Sequence, residues 1–142
     1  MFLPSYLINP IQKSRYQDAL LPTGLHTVCQ EAKCPNRGEC FSEGIVTFLL
    51  LGNRCTRSCR FCAITKGTPD LNFEDNLTYI NEVIQMFNLK FVVLTSVTRD
   101  DLSDGGASAF VKAIAEIRTY APTLRIEVLV PDFQGNKAAL LG

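Results

Sequence analysis

All six cysteines of this 142-residue chain fall within residues 29–62, and this crowding limits its fold and chemistry more than any other feature. A disulfide framework usually joins distant loops of a small secreted chain that lacks a core. This chain is 46% hydrophobic, and its N-terminus lacks the charged start and long apolar run of a secretory signal. The cysteines therefore favour metal or redox chemistry over disulfides.

The charge composition excludes two classes of partner. The 14 basic residues are balanced by 14 acidic ones, whereas nucleic acids and anionic membranes are bound through a basic excess. No run approaches the roughly 20 apolar residues that span a bilayer. We therefore expect one soluble globular domain in the cytoplasm.

Apolar runs predict three strands with helices between them. Residues 45–51 and 91–97 are expected to be buried strands, and Ile126–Val130 a third that ends at Pro131. Asn72 is expected to cap the first helix, whose apolar face holds Phe73, Leu77, Ile80, Ile84 and Phe87. The second helix is expected to be capped by Asp104 and to bury Phe110, Val111, Ile114 and Ile117.

Strands joined by helical crossovers are parallel, so the order predicts an α/β fold. Three strands do not close a barrel of eight, and the start of a further helix at the end of the chain favours the first half of a larger fold over a small open sheet. Residues 1–44 carry many prolines and glycines and are expected to form an irregular N-terminal extension. Residues 45–142 are expected to form the first half of the barrel.

Cys55, Cys59 and Cys62 form a C-x3-C-x2-C motif within CTRSCRFC. This spacing lets one tight loop offer three thiolates to an iron-sulfur cluster, which normally takes four, and it leaves one iron open to a small molecule. The alternative is zinc, which prefers four ligands delivered as two short pairs.

The motif resembles that of the radical S-adenosylmethionine (SAM) superfamily. This resemblance implies that SAM chelates the open iron, that Cys55, Cys59 and Cys62 are catalytic, and that Phe61 lies beside the adenine. Catalytic groups in such barrels lie at the carboxyl ends of strands. A polar segment that contains Thr95, Asp100 and Asp101 follows the second strand, and it is either part of the SAM site or a solvated loop.

Cys29, Cys34 and Cys40 form a second triad, C-x4-C-x5-C, within TVCQEAKCPNRGEC. With TFLLLG before the first motif, LTSVTRDDLSDGGA and VLVPDFQGN, this pair of triads resembles the lipoyl synthase family from about Thr27 onward. In that family the first triad holds an auxiliary [4Fe-4S] cluster that donates sulfur, with a serine of a C-terminal Arg-Ser-Ser motif as a further ligand. Residues 1–142 contain no such motif.

The resemblance implies a radical SAM sulfurtransferase with two [4Fe-4S] clusters. It would insert two sulfur atoms at C6 and C8 of an octanoyl group bound to a lipoyl carrier domain, with an electron donor such as ferredoxin or flavodoxin. Biotin synthase is the most similar alternative enzyme, but the first triad, C-x4-C-x5-C, argues against that assignment. A noncatalytic zinc module is the alternative from another class.

Two further residues allow more than one interpretation. Glu127 lies on the third strand, where burial would require a partner, either SAM or a structural ion pair. His26 is the only histidine, and we expect a local hydrogen bond rather than metal ligation, because the cysteines already supply a triad.

Overall fold

The computed structural model describes residues 25–68 and 76–141, which form an α/β structure around a parallel three-stranded sheet. The strands are β1 Ile45–Leu50, β2 Arg54–Cys55, β3 Thr65–Lys66, β4 Phe91–Ser96 and β5 Arg125–Leu129. The helices are α1 Val28–Glu31, α2 Arg37–Ser42, α3 Asn76–Met86, α4 Ala107–Tyr120 and α5 Lys137–Leu141, with a 3-10 turn at Phe133–Gly135.

The main sheet has the order β1-β4-β5, and both strand pairs are parallel. Ile45 pairs with Phe91, and Phe91 pairs with Arg125, so all three carboxyl ends meet at one edge. The α/β prediction and its parallel strands are confirmed, and the sheet formed by the described residues stays open.

The three predicted strands lie within about one residue of their expected bounds, because long apolar β-branched runs specify buried strands well. Two short helices, α1 and α2, occupy part of the N-terminal segment that was expected to be irregular. The interpretations of Asn72, Phe73 and residues 1–24 lie outside the described residues.

The core lies between the sheet and the helices that follow its strands. Phe48, Val92 and Leu94 are fully buried on β1 and β4. They join the buried α3 and α4 side chains Ile80, Val83, Ala113 and Ile117. Val111 was expected on this face but is 51% exposed, because α4 turns Ala113 inward instead.

Strand β5 is exposed, since it pairs with β4 alone among the described strands. Leu129 is 62% exposed, and Val128 and Val130 are also open to solvent. Glu127 is exposed as well, so the expectation that it lies on a buried strand is wrong. Its carboxylate therefore does not need a buried partner.

The start of α4 packs closely against the end of β1. Gly106 has φ +94°, and a side chain there would collide with Leu51. Glycine suits this position because it has no Cβ and adopts positive φ readily. Among residues 25–68 and 76–141, no helix is long and apolar enough to cross a membrane.

Candidate functional site

The second cysteine triad lies on the loop that leaves β1 at the carboxyl edge of the sheet. Cys55 ends β2, which pairs with β3 through Arg54–Thr65 and Cys55–Lys66. The Gly67 amide donates to the Cys55 carbonyl at 3.2 Å, and the Cys62 amide donates to the Cys59 carbonyl at 3.2 Å. These bonds close the base of the loop and tighten its second half.

The same loop is tied to the segment that follows β4. The Thr56 amide and hydroxyl both donate to the Thr98 carbonyl, at 3.3 and 2.8 Å. The Cys55 Sγ lies 3.9 Å from that carbonyl oxygen. The first cysteine of the triad is therefore fixed against a neighbouring strand end.

Arg57 joins this loop to two strand ends at once. Its Nε and Nη2 donate to Asp100 Oδ2 and Oδ1, each at 2.9 Å. Its Nη1 and Nη2 donate to Asp132 Oδ2 and Oδ1 at 2.9 and 3.0 Å. Hydrogen bonds from the guanidinium lower the pKa of Asp100 and lower that of Asp132 to about 2, and they raise the pKa of Arg57.

The tip of the loop is open to solvent. Cys59 is exposed, and Cys55 and Cys62 are half-buried. Phe61 is 94% exposed, so its ring is available to a flat ligand beside the cysteines.

The first triad lies on α1, α2 and the turn between them. Cys29 is in α1, Cys40 is in α2, and the Cys34 amide donates to the Cys29 carbonyl at 3.0 Å. Burial raises the pKa of the Cys29 and Cys40 thiols, and charge repulsion from the neighbouring cysteines raises it further. The backbone therefore presents the three thiols from two consecutive short helices and the turn between them.

The six thiols suit an iron-sulfur cluster in kind and in spacing. All six are free, and thiolates are the ligands these clusters prefer. Within residues 25–68 and 76–141, no three histidine, cysteine or acidic side chains are already arranged around a metal position. Binding would bring the thiolates together and release their protons, as metal binding to cysteine generally does.

The four polar residues expected to face SAM have varied surroundings. The Thr95 hydroxyl donates to the Leu129 carbonyl at 2.9 Å. Asp100 is held by Arg57, and Asp101 accepts from Arg99 Nε and Nη2 at 2.9 and 2.8 Å. Glu127 is exposed on β5. Both aspartates therefore have arginine partners, and each can orient a strand end as well as meet a ligand.

The Asp104 side chain caps the start of α4 as expected, although the N-cap residue itself is Gly106. Its carboxylate accepts from the Gly106 and Ser108 amides, each at 2.9 Å. These bonds lower the pKa of Asp104. The capping interpretation is confirmed, which makes a ligand-binding role unnecessary to explain this residue.

His26 forms the expected local hydrogen bond, with Nδ1 3.2 Å from Glu31 Oε1. The same carboxylate oxygen accepts from Asn53 Nδ2 at 3.4 Å. Glu31 follows the first triad's Cys29 in α1, and Asn53 precedes the second triad. This contact connects the two cysteine-bearing segments.

Sequence reasoning did not single out Arg57, and it treated Arg99 only as one member of a polar group. Arg99 is 1% exposed and also donates to the Leu51 carbonyl at 3.3 Å. The sequence signal that could have indicated the Arg57 contacts was an arginine between the cysteines together with Asp100 and Asp132, which follow two other strands. Parallel topology brings such positions to one edge.

No protein-family model matches the chain. The chain is similar to the lipoyl synthase of Hahella chejuensis, with 55% identity over 112 residues, 79% of this chain and 34% of that protein. It is 52% identical over 118 residues to the lipoyl synthase of Desulfotalea psychrophila, 83% of this chain and 40% of that protein. The lipoyl synthase of Caldanaerobacter subterraneus subsp. tengcongensis is 50% identical over 127 residues, 89% of this chain and 44% of that protein.

The chain spans 34–44% of the length of these curated relatives, which is less than half of each. A match over 89% of the chain necessarily includes residues 29–62, where all six cysteines lie. The matches at 52% and 50% identity to the Desulfotalea psychrophila and Caldanaerobacter subterraneus relatives are both long enough to extend across both triads, and on this basis the chain belongs to the lipoyl synthase family.

Proposed function

We propose that this chain carries the cluster-binding part of a lipoyl synthase, a radical SAM sulfurtransferase. The observation that carries the proposal is the pair of cysteine triads inside a region 50–52% identical to lipoyl synthases. The reaction would insert two sulfur atoms at C6 and C8 of an octanoyl group attached to a lysine of a lipoyl carrier domain.

The proposal assigns one [4Fe-4S] cluster to each triad. Cys55, Cys59 and Cys62 would hold the cluster that binds SAM, and Cys29, Cys34 and Cys40 would hold the auxiliary cluster that supplies sulfur. When bound, the first cluster supplies the electron that cleaves SAM to methionine and a 5'-deoxyadenosyl radical, and the second supplies sulfide. A saturated C–H bond has no acidic proton, so this chemistry has to come from cofactors rather than side chains.

The chain's own residues would position the reactants. Phe61 is exposed beside the thiols, where its ring can stack on the adenine of SAM. Thr95, Asp100, Asp101 and Glu127 lie on or after β4 and β5, and their oxygens can accept hydrogen bonds from the amino and ribose hydroxyl groups of SAM.

The proposed partners are an octanoylated carrier domain and a small electron donor such as ferredoxin or flavodoxin. The proposed location is the cytoplasm, because thiols that hold clusters have to stay reduced and cytosolic thiols are kept so. Charge balance gives no reason to invoke nucleic acid.

We also propose that residues 45–142 form the first half of a radical SAM (β/α) barrel and that residues 1–44 form its extension. Two features support this arrangement: the parallel order β1-β4-β5, and a β5 strand whose apolar side chains remain exposed. Further parallel strands would cover that edge.

A chimera tests the function. In it, this chain replaces the matching 112-residue segment of the Hahella chejuensis relative, to which it is 55% identical. After anaerobic reconstitution, the chimera is incubated with octanoylated carrier domain, SAM and reductant. We expect 5'-deoxyadenosine and a lipoylated carrier, both detected by mass spectrometry.

Cysteine variants of the chimera separate the two triads. Cys59→Ala should abolish both products, whereas Cys34→Ala should leave SAM cleavage and abolish sulfur insertion. A folded chimera that binds clusters and forms 5'-deoxyadenosine but inserts no sulfur would contradict the assignment.

A further inference from the structure

We propose that Arg57 is a positioning residue that holds the cysteine loop over the carboxyl ends of β4 and β5 by joining Asp100 and Asp132. The functional part of this inference rests on the proposed function, in which Cys55, Cys59 and Cys62 hold the cluster that meets SAM. The contact itself is independent of that assignment.

The geometry uses four of the five N–H donors of one arginine side chain. Arg57 makes four hydrogen bonds of 2.9 to 3.0 Å, two to each carboxylate. Asp100 follows β4, Asp132 follows β5, and Arg57 follows β2. One side chain therefore joins three segments that are distant in sequence.

Each of the two aspartates also makes a hydrogen bond to a group other than Arg57. Asp132 Oδ1 also accepts from the Gln134 amide at 3.0 Å, so its carboxylate has an orienting bond that does not depend on Arg57. The Asp100 amide lies 3.4 Å from Thr56 Oγ1, so this residue also touches the loop through its backbone. The carboxylates repel each other, and the arginine offsets that repulsion.

Arg57 is also placed where the loop needs an anchor. Up to Thr56 the loop is held by β2–β3 pairing and by the Thr98 carbonyl. Beyond Arg57, residues 58–61 are exposed. Arg57 is thus the last side chain that ties the loop to the sheet before Cys59, and it sets the direction in which Cys59 and Cys62 are presented.

Lysine cannot reproduce this contact, because it is a point charge without the planar fork that binds two carboxylates. Arg60 provides a matched control. It is exposed, lies in the same loop and carries the same charge, but no ion pair of Arg60 occurs among the described residues. Arg57→Gln and Arg60→Gln therefore remove the same charge from the same loop, but only Arg57→Gln removes the ion pairs with Asp100 and Asp132.

The first measurement uses the metal-free, reduced chain and hydrogen exchange of the peptide that covers residues 54–62. We expect Arg57→Gln to speed exchange of the Thr56 amide by about five- to tenfold, as expected for the loss of local charge-assisted bonds. Arg57→Lys should be intermediate and Arg60→Gln unchanged. Circular dichroism checks that all four proteins are folded.

The second measurement uses the reconstituted chain and electron paramagnetic resonance with and without SAM. We expect Arg57→Gln to retain its iron, because the three thiols are local, but to lose most of the SAM-induced change in the signal. Arg57→Lys should recover part of that change, which a purely structural effect on folding would not predict.

The outcomes separate this inference from the proposed function. If Arg57→Gln matches Arg60→Gln in exchange rate and in spectrum, Arg57 does not position the loop. If the unmodified chain binds no cluster, the proposed function fails, and the exchange rates alone decide whether Arg57 holds the loop.

Discussion

Replacing Asp101 with alanine removes the carboxylate partner of a buried arginine. Arg99 is 1% exposed, and its Nε and Nη2 donate to the two Asp101 oxygens at 2.9 and 2.8 Å. Removing one partner of a fully buried ion pair costs about 3–5 kcal/mol. Asp101 itself is 39% exposed, so water weakens the pair.

Arg99 also keeps its bond to the Leu51 carbonyl and has further interactions. We therefore expect Asp101→Ala to lower the free energy of unfolding by about 2 kcal/mol, the range of one or two hydrogen bonds to a charged group. Asp101→Asn retains one acceptor and should cost about half as much. Urea unfolding followed by far-ultraviolet circular dichroism measures both.

Ser103→Ala is the control, since Ser103 is an exposed neighbour in the same loop, and its effect should stay within about 0.5 kcal/mol. If Asp101→Ala unfolds at the same urea concentration as this control, the buried guanidinium does not depend on Asp101, and the reasoning is refuted.

Three further predictions concern the scaffold. Asp104→Ala should lower the free energy of unfolding by about 1 kcal/mol at neutral pH. The pKa of Asp104 is lowered in the folded chain. The stabilisation is therefore present above the unfolded pKa of about 3.9 and is lost as the pH falls through the folded pKa. Urea unfolding across that window checks it, and a difference that persists in strong acid would contradict it. Leu94→Ala, at a fully buried position of the middle strand, should cost about 3–5 kcal/mol in urea unfolding; a cost below that of Asp104→Ala would contradict the assigned core. Leu129→Lys, on the exposed β5 strand, should reduce concentration-dependent association in sedimentation experiments, because charged residues discourage edge pairing; equal association of both proteins would show that β5 is not the contact.

Local patterns explain why much of the scaffold could be predicted. The β1 and β4 strands could be predicted because a short, continuous apolar run is typical of a strand that is buried on both faces. The cysteine spacing could be read directly because each triad is contained in a short segment. Asp104 was identifiable because a capping aspartate acts on amides within four residues of itself.

Features that depend on residues far apart in the chain were harder to predict from the sequence. The contact between Arg57 and Asp132 joins positions 75 residues apart and exists only because β5 ends beside the cysteine loop. The exposure of Glu127 depends on which strands lie beside β5, and the strand's own apolar pattern carries no such information. Helix α4 turns Ala113 inward and leaves Val111 51% exposed, a choice set by its packing partners.

We propose that the two triads hold two separate iron-sulfur clusters, and metal analysis tests this most directly. Iron and acid-labile sulfide are measured after anaerobic reconstitution of the chain, of a Cys29/Cys34/Cys40→Ala variant and of a Cys55/Cys59/Cys62→Ala variant, with Mössbauer spectroscopy to identify the clusters. Two [4Fe-4S] clusters predict about eight iron and eight sulfide per chain, and about four of each in either variant. Bound zinc without sulfide, or full iron content in both variants, would contradict the account.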